Sequence, residues 1–296
     1  MTTPGTPVGY DRDKLDLSFE FYPPKTEKGE KALAKTVNRL AQLNPDFVSV
    51  TFGAGGSVRE GTLQTCLSIA KQSGLTAAPH ISCVGSTKKI LKNYLERYRD
   101  AGFNSLFVLR GDVPSDKSTS RIGDFSHANE LVAFVKNFGG FKINVACYPE
   151  FHPESSDPRK DIEHFVRKVD AGADVAVTQY FFNNASYYRF VEDVHRKGVK
   201  IPIVVGLMPI VNFAQIASFS EKCGADLPLW IRKRMEVYQD DPQSQLELGV
   251  EIATQQAEDL LRNGAPGIHF YTLNRAEASV RIWEQLGLPA AQPRQG

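Results

Sequence analysis

The sequence predicts an α/β protein built as a single (β/α)8 TIM barrel, with extra helices inserted before the last strand. Three observations lead to this prediction. Short runs of β-branched and aromatic residues alternate with longer amphipathic segments, as expected for parallel strands joined by crossover helices. The alternation repeats at intervals of about 30 residues and yields eight candidate strands. The length of 296 residues is also sufficient for one such barrel.

The predicted strands are short apolar runs bounded by turn-forming residues. They cover residues 17–22, 47–52, 77–83, 105–110, 143–148, 175–181, 203–207 and 267–273. Between them, apolar residues recur at helical spacing, as Leu33, Val37 and Leu40 do in the first helical segment. The helical segments include residues 30–43, 90–101, 129–138, 162–171 and 187–197.

One stretch departs from the alternation. Residues 228–263 contain two helical segments and no predicted strand, with a turn at Asp240, Asp241 and Pro242 between them. We therefore expect an insertion that belongs to the barrel domain. The expected organisation is a polar, flexible leader at 1–14, the barrel domain at 15–287 and a flexible tail at 288–296.

Composition narrows the classes of function. The 35 Lys and Arg residues nearly balance the 34 Asp and Glu residues, so the net charge of +1 argues against nucleic-acid binding. No apolar stretch approaches the roughly 20 residues of a membrane helix, and the N-terminus lacks the apolar core of a signal peptide. We expect a cytoplasmic protein without a membrane partner.

Reduced, mostly buried thiols are expected at Cys66, Cys83, Cys147 and Cys223.

Barrel enzymes carry their reactive groups where the strands end, so polar residues there are the first candidates. In the first strand, Ser18, Glu20 and Tyr22 alternate with Phe19 and Phe21, which directs Glu20 into the barrel mouth. A carboxyl group among aromatic rings loses hydration in its charged form and is suited to donate a proton. The alternative is a structural glutamate held by an arginine or lysine.

Strands two to four also end in polar groups. Thr51 could donate a hydrogen bond, and His80 could be an acid, a base, a donor or a satisfied structural histidine. The glycine-rich residues 53–56 could cradle a phosphate or form only a turn, because they lack the G-x-G-x-x-G spacing. Arg110 and Asp112 place a cation and a carboxylate at a strand exit, which suits a polar ligand.

The fifth strand is followed by Tyr148, Glu150, His152 and Glu154 in a loop stiffened by prolines. A metal site is disfavoured here, because neither an H-E-x-x-H pattern nor a cysteine partner accompanies these residues. We therefore expect no bound metal.

Two later strand exits suit an organic ligand. The Gln179 amide fits a ring with paired donors and acceptors, such as a pterin. Tyr271 and Arg275 could contact an aromatic anion, although Arg275 could equally pair with Glu277. No Ser/His/Asp arrangement can be derived from the spacings. A site with one carboxyl group, polar donors and aromatic walls is typical of a protein that leaves electron transfer to an organic cofactor.

The chain resembles the short bacterial methylenetetrahydrofolate reductases from about residue 18 to residue 286. Eight motifs carry the resemblance in order: SFEFYPPK, FVSVTFGAGGS, AAPHISC, VLRGD, YPEFHPE, KVDAGAD, TQYFFN and HFYTLNRAE. The resemblance implies an FAD-dependent barrel enzyme that reduces 5,10-methylenetetrahydrofolate to 5-methyltetrahydrofolate with NADH or NADPH. It also implies a ping-pong reaction, in which nicotinamide leaves before folate enters the same face.

The resemblance further implies roles for individual residues. Glu20 matches the catalytic acid, and Asp112 matches a carboxylate beside the flavin and the folate ring, where negative charge stabilises a cationic intermediate. The implied FAD-binding set is Thr51, His80, Arg110, Gly111, Asp112, Ala128, Tyr148, His152, Asp161, His164, Arg167 and Lys168. The implied folate-binding set is Glu20, Gln179, Phe213, Tyr271 and Arg275.

Some alternatives remain open at this level. His127 and Ala128 stand where many family members have Tyr-Ala, so the adenine contact of FAD is unassigned. Arg167 and Lys168 also suit the C-terminal end of a helix dipole. Other candidate functions are a flavin-binding subunit that takes electrons from another protein and a cofactor-free lyase. The choice between NADH and NADPH is undetermined, and we expect a homo-oligomer.

Overall fold

The computed structural model describes residues 10–52, 56–111, 123–155 and 157–288, without the side chains of residues 56–59. Eight parallel strands form a closed barrel in sequence order, with β8 paired to β1. The predicted fold class is therefore confirmed. The strands are β1 (Asp16–Phe21), β2 (Phe47–Val50), β3 (Ala77–Ser82), β4 (Ser105–Leu109), β5 (Lys142–Cys147), β6 (Val175–Thr178), β7 (Ile203–Leu207) and β8 (Gly267–Tyr271).

The helices within the described ranges surround this barrel. They are α1 (Glu27–Ala41), α2 (Gly56–Ser73), α3 (Lys88–Asp100), α4 (Ala128–Phe138), α5 (Pro158–Asp170), α6 (Asn184–Arg196), α7 (Phe213–Cys223), α8 (Leu229–Glu236), α9 (Pro242–Arg262) and α10 (Glu277–Gln285). Several begin before the predicted range, because the apolar periodicity starts only after the polar first turn. Thr26, Thr87, Asp157 and Asn183 accept backbone hydrogen bonds there as N-caps.

The two faces of each strand have different roles. In β1, Leu17, Phe19 and Phe21 are almost fully buried in the core between strands and helices. Ser18 and Glu20 alternate with them and point into the barrel. A separate inner cluster fills the barrel and consists of Phe47, Ala78, Phe107, Val175, Val177 and Val204. Because the interior is packed, the C-terminal ends of the strands are the natural place for a site.

The insertion before β8 consists of α8 and α9, as predicted. These helices pack with α7 and the exits of β6 and β7 around a second core. β6 ends three residues earlier than expected, because Tyr180 and Phe182 turn into this core instead of continuing the strand. The second core comprises Tyr180, Phe182, Met208, Ile210, Ile216, Ala225, Leu227, Ile231, Met235, Leu248 and Ile252.

The end of the predicted leader is anchored to the barrel. Arg12 donates hydrogen bonds to the Asp46 carboxylate and the Leu15 carbonyl, both at 2.8 Å. Residues 1–9 and 289–296, which complete the predicted leader and tail, lie outside the described residues. Across the described ranges, no helix combines the length and apolarity needed to cross a bilayer.

The cysteine prediction is confirmed. All four thiols are free, with Cys66, Cys83 and Cys147 buried and Cys223 half-buried. Burial raises the pKa of the Cys83 thiol to about 11 and that of Cys147 to about 12, so both are protonated near neutral pH.

Candidate functional site

Glu20 lies at the barrel mouth between two histidines. In the strand register it stands beside Ser49 of β2 and Tyr271 of β8. Its Oε2 atom is 3.6 Å from His80 Nε2 and 3.7 Å from His269 Nε2, and 20% of the side chain is exposed. The predicted orientation of Glu20 is therefore confirmed, and imidazole rings rather than a structural arginine or lysine flank the carboxylate.

His269 is a site residue that the sequence reasoning missed. Its ring is fully buried, with Nδ1 at 2.7 Å from Ser18 Oγ and Nε2 at 3.3 Å from Ser49 Oγ. These two hydroxyl groups fix the ring orientation beneath Glu20. The period-two pattern of β8 carried the signal, because it places His269 on the same face as Tyr271.

His80 presents an unsatisfied nitrogen to the mouth. The side chain is 5% exposed, and its ring stacks on Phe107 with centroids 4.6 Å apart. No hydrogen-bond partner of His80 Nε2 exists among the described residues. Burial lowers the pKa of His80 to about 4, although Glu20 opposes this shift. A neutral imidazole with a free polar atom is suited to contact a ligand rather than to act as a satisfied core residue.

Acidification is expected to destabilise the fold through His80. The folded ring has a pKa of about 4 against 6.5 for an ordinary histidine, so between these values the unfolded chain binds the additional proton. The contribution of His80 is complete above pH 6.5 and falls as the pH is lowered, with a loss of about 3 kcal/mol near pH 4. Urea unfolding at a series of pH values measures how steeply the free energy of unfolding changes with pH.

The slope of the unfolding free energy against pH reports how many more protons the unfolded chain binds than the folded one. The substitution His80→Asn should lower that number by close to one between pH 4 and pH 6.5. The matched control is His195→Asn, on the exposed end of α6, which should leave the slope unchanged. A His80→Asn slope equal to that of the wild type would contradict the assignment of a buried neutral imidazole.

Tyr271 forms part of the mouth beside Glu20. Its hydroxyl donates to the Thr178 carbonyl at 2.8 Å. Burial, followed by the charge of Glu20, raises the pKa of Tyr271 well above its ordinary value, so the phenol stays protonated. Gly206 of β7 makes room for the ring, because a Cβ there would lie 2.6 Å from Tyr271 Cε2.

The exit of β4 carries a paired arginine and a constrained glycine. Arg110 donates to both carboxylate oxygens of Glu154, at 2.6 and 2.9 Å, so it joins the ends of two neighbouring strands. Gly111 has φ +84°, and a Cβ there would meet the Ser82 side chain at 3.0 Å. Asp112 lies outside the described residues, as do residues 53–55 of the glycine-rich run.

The exit of β5 places two rings in contact. Tyr148 and His152 lie edge to face with centroids 4.7 Å apart. His152 Nδ1 accepts the Glu154 backbone N–H at 3.1 Å, and the His152 backbone N–H donates to Asp161 at 3.2 Å. Burial, followed by the nearby charge of Arg110, lowers the pKa of His152. The lowered pKa favours the neutral form of the imidazole, and Nδ1 is the nitrogen that accepts the loop backbone hydrogen bond.

Helix α5 contributes a basic side chain that turns inward. Lys168 donates to the Ala146 carbonyl of β5 at 2.5 Å, and burial lowers the pKa of its amine. Arg167 is exposed in the last turn of α5, where it suits the helix dipole. The ring of His164 lies 6.3 Å from that of His127, the residue before Ala128 at the start of α4.

The other predicted positions lie around the rim. Thr51 is half-buried after β2, with its backbone N–H donating to Phe21 O at 2.9 Å. Gln179 is half-buried after β6, and its Oε1 accepts the Tyr180 N–H at 3.0 Å. Arg275 is exposed and lines a small cleft together with Tyr271.

Aromatic side chains of α7 pack beside the residues that follow β6 and β8. Phe213 and Phe219 are half-buried against the second core, as is Tyr271. Phe219 was not predicted, because its spacing in α7 is the same as that of an ordinary amphipathic helix. The site therefore combines a carboxyl group that lies between two buried imidazole rings with aromatic side chains at the same end of the barrel. Within the described ranges, no three His, Cys, Asp or Glu side chains are placed to hold a metal ion.

Comparison with known proteins gives consistent relationships. The sequence profile of the family described as "Methylenetetrahydrofolate reductase" matches residues 9–287. The 5,10-methylenetetrahydrofolate reductase of Escherichia coli is 37% identical over 275 residues, which cover 93% of this chain and 92% of that protein. The enzyme of the same name from Buchnera aphidicola of Schizaphis graminum is 38% identical over 276 residues, 93% of each chain.

A solved structure shares the fold at low sequence identity. It is an uncharacterized protein from Clostridium thermocellum that binds two copies of 5-methyl-5,6,7,8-tetrahydrofolic acid. Its TM-score is 0.66 at 16% identity, and the match covers 94% of this chain and 96% of that one. This likeness supports the barrel architecture.

Proposed function

Because the chain belongs to the methylenetetrahydrofolate reductase family, we propose that it reduces 5,10-methylenetetrahydrofolate to 5-methyltetrahydrofolate with NADH or NADPH. The observation that carries the proposal is the position of Glu20. Its carboxyl group lies at the mouth of a packed barrel, between His80 and His269. An acid held there can serve a substrate that needs a proton before it accepts a hydride.

The residues at the exits of β3 to β5 fit an FAD molecule. His80 Nε2 is a buried polar atom without a hydrogen-bond partner among the described residues, and Gly111 leaves a side-chain-free approach beside Ser82. Both features suit the edge of a planar ring that approaches the backbone closely. We assign the ribose and diphosphate end to Asp161, His164, Arg167 and Lys168, and the remaining FAD contacts to Thr51, His80, Arg110, Gly111, Asp112, Ala128, Tyr148 and His152.

When bound, the flavin supplies reversible hydride transfer, so NADH or NADPH and folate can use the same face in turn. The chain's own contribution is the proton and the binding surface. Glu20 protonates a folate nitrogen, which opens the methylene bridge to an electrophilic iminium. Ser18 and Ser49 orient His269, and His269 in turn supports the Glu20 carboxylate.

The folate itself is assigned to Glu20, Gln179, Phe213, Tyr271 and Arg275. The Gln179 amide offers a donor and an acceptor to the pterin edge, and the Tyr271 ring supplies an apolar surface. The exposed Arg275 guanidinium suits a carboxylate of the folate tail.

A cytoplasmic location stays a prediction from the sequence.

Asp112→Asn is expected to make the bound flavin easier to reduce and to slow folate reduction about ten- to a hundredfold. Removing a negative charge near the flavin stabilises its anionic reduced form and weakens support for the cationic folate intermediate. The midpoint potential, measured by a reference-dye titration, checks the first effect. An unchanged potential would remove this electrostatic role, and Asp193→Asn on α6 is the control.

The absorbance spectrum of the purified protein tests the proposed function directly. We expect a bound chromophore near about 450 nm that NADH or NADPH bleaches without oxygen. Adding 5,10-methylenetetrahydrofolate should restore the colour and form 5-methyltetrahydrofolate. Flavin that stays oxidised in excess NADH and NADPH would favour the electron-accepting subunit instead. Colourless protein that takes up no FAD would overturn the proposal.

A further inference from the structure

The turn that follows β8 has a backbone conformation that residues other than glycine seldom adopt. Leu273 has φ +49° and Asn274 has φ +56°. Within the described ranges, Asn44 is the only other non-glycine residue with a positive φ. Two left-handed residues in succession persist only where surrounding contacts fix them, and such positions concentrate at functional sites. The contacts of this turn therefore indicate what it does.

Asn274 extends its side chain across to the end of β1. Its Oδ1 accepts the Tyr22 backbone N–H at 3.0 Å, and its Nδ2 donates to the Tyr22 carbonyl at 2.9 Å. Asparagine is a favoured N-cap, but α10 has Ala276 as its N-cap, and the Asn274 amide bonds to β1 instead. One carboxamide thus satisfies the donor and the acceptor of a single residue, as a neighbouring strand would.

Thr272 adds a second connection between the same two strand ends. Its Oγ1 donates to the Glu20 carbonyl at 2.6 Å and accepts the Asn274 backbone N–H at 3.1 Å. The Thr272 side chain is buried. From α1, the Thr36 hydroxyl donates to the Asn274 carbonyl at 3.0 Å. Thr272 and Asn274 are named here the β8 clamp, and together they join β8 to the strand that carries Glu20.

The β8 clamp begins where the backbone pairing of β1 with β8 ends. The last paired residues are Glu20 and Tyr271, whereas the pairing of β1 with β2 continues to Phe21 and Val50. A residue at the end of a strand pairing opens easily, because no further pair restrains it. The clamp bonds the Glu20 carbonyl and both backbone groups of Tyr22, so it supplies the restraint that the pairing lacks on the β8 side.

We propose that the β8 clamp positions the Glu20 carboxyl group for proton transfer to the folate. This inference rests on the proposed function, in which Glu20 is the acid. A proton donor must lie within hydrogen-bond reach of the atom that it serves. Displacing a reacting group by about 1 Å can cost about 10²-fold in rate. The clamp bonds to the backbone of β1, so Thr272 and Asn274 are positioning residues and not acids.

Asn274→Gly removes the carboxamide and preserves the turn, because glycine adopts a positive φ freely. Tyr22 is 45% exposed, so water can bond its backbone groups and the variant should fold and bind FAD. In stopped-flow absorbance, reduction of 5,10-methylenetetrahydrofolate should slow about ten- to a hundredfold, with flavin reduction by NADH close to the wild-type rate. Equal slowing of both half-reactions, or folate reduction at the wild-type rate, would overturn the proposal.

Asn44→Gly is the matched control for this substitution. Asn44 is also left-handed, with φ +53°, but it precedes β2 and lies at the opposite end of the barrel. Its replacement should change neither half-reaction. If Asn44→Gly slowed folate reduction as much as Asn274→Gly does, the effect would come from the loss of a left-handed asparagine in general and not from the β8 clamp.

Thr272 offers a test by rescue. Thr272→Val removes the hydroxyl at nearly constant size and should slow folate reduction, whereas Thr272→Ser retains the hydroxyl and should restore most of the rate. Slow folate reduction in Thr272→Ser as well would contradict a role for the bond to the Glu20 carbonyl.

A double variant tests whether the clamp acts through the acid. Glu20→Gln combined with Asn274→Gly should reduce folate about as slowly as Glu20→Gln alone, because residues that act through one group are not additive. A further loss as large as that of Asn274→Gly alone would show that the clamp does not act through the Glu20 carboxyl group.

Hydrogen exchange measures the clamp independently of the reaction. In mass spectrometry of peptides that cover the end of β1, the Tyr22 amide should exchange about tenfold faster in Asn274→Gly than in the wild type, and unchanged in Asn44→Gly. Unchanged exchange in Asn274→Gly would contradict the clamp. A wild type that does not reduce 5,10-methylenetetrahydrofolate would count against the proposed function, so the two failures are distinguishable.

Discussion

Glu20→Gln is expected to slow the reduction of 5,10-methylenetetrahydrofolate by about 10²- to 10⁴-fold while bound flavin is still reduced by NADH or NADPH at nearly the wild-type rate. The amide has almost the same size as the carboxyl group and can still lie between His80 and His269, but it has no acidic proton to deliver. Only the folate half-reaction needs that proton. Stopped-flow absorbance under anaerobic conditions measures the two half-reactions separately.

The control for this experiment is Glu247→Gln, an exposed glutamate of α9, which should change neither rate. Equal slowing of both half-reactions by Glu20→Gln would indicate that Glu20 supports the flavin or the fold rather than acting as an acid. Slow folate reduction together with normal flavin reduction would instead show that the variant lacks the proton donor.

The fold was accessible from the sequence because its determinants are local. Each strand is a short apolar run, and the period-two alternation of β1 fixes which side chains enter the barrel. That rule was enough to direct Glu20 inward and Phe19 outward. It would also have identified His269 in β8, but a single histidine within the buried run GIHFY resembles a core residue unless the opposite strand is known.

The arrangement around Glu20 was not accessible in the same way. The two distances from Glu20 to His80 and His269 depend on the register between β1, β3 and β8, which are far apart in the chain. The inward turn of Lys168 likewise depends on α5 packing against β5. Strand register and helix packing are set by the whole barrel, so local patterns contain little information about them.

A single methyl group at Gly206 is expected to disturb the mouth strongly. In Gly206→Ala, the new Cβ would be 2.6 Å from Tyr271 Cε2 and would lie even closer to the Thr178 carbonyl oxygen. The same carbonyl oxygen accepts the hydrogen bond of the Tyr271 hydroxyl, so the substitution displaces both the donor and the acceptor of one hydrogen bond. We expect a loss of about 2–4 kcal/mol in the free energy of unfolding, because a backbone oxygen cannot move aside as a flexible side chain can.

The displaced Tyr271 ring should also raise the KM for folate, while flavin reduction by NADH changes less. Gly61→Ala, within helix α2, is the matched control, because its Cβ would approach only the Pro23 side chain, with Cβ at 3.3 Å and Cγ at 3.9 Å. Alanine is favoured over glycine there by up to about 1 kcal/mol, so stability should hold or rise. Urea unfolding and steady-state kinetics measure both effects. If Gly206→Ala matched Gly61→Ala in both, the close packing of Tyr271 against β7 would have no role in shaping the site.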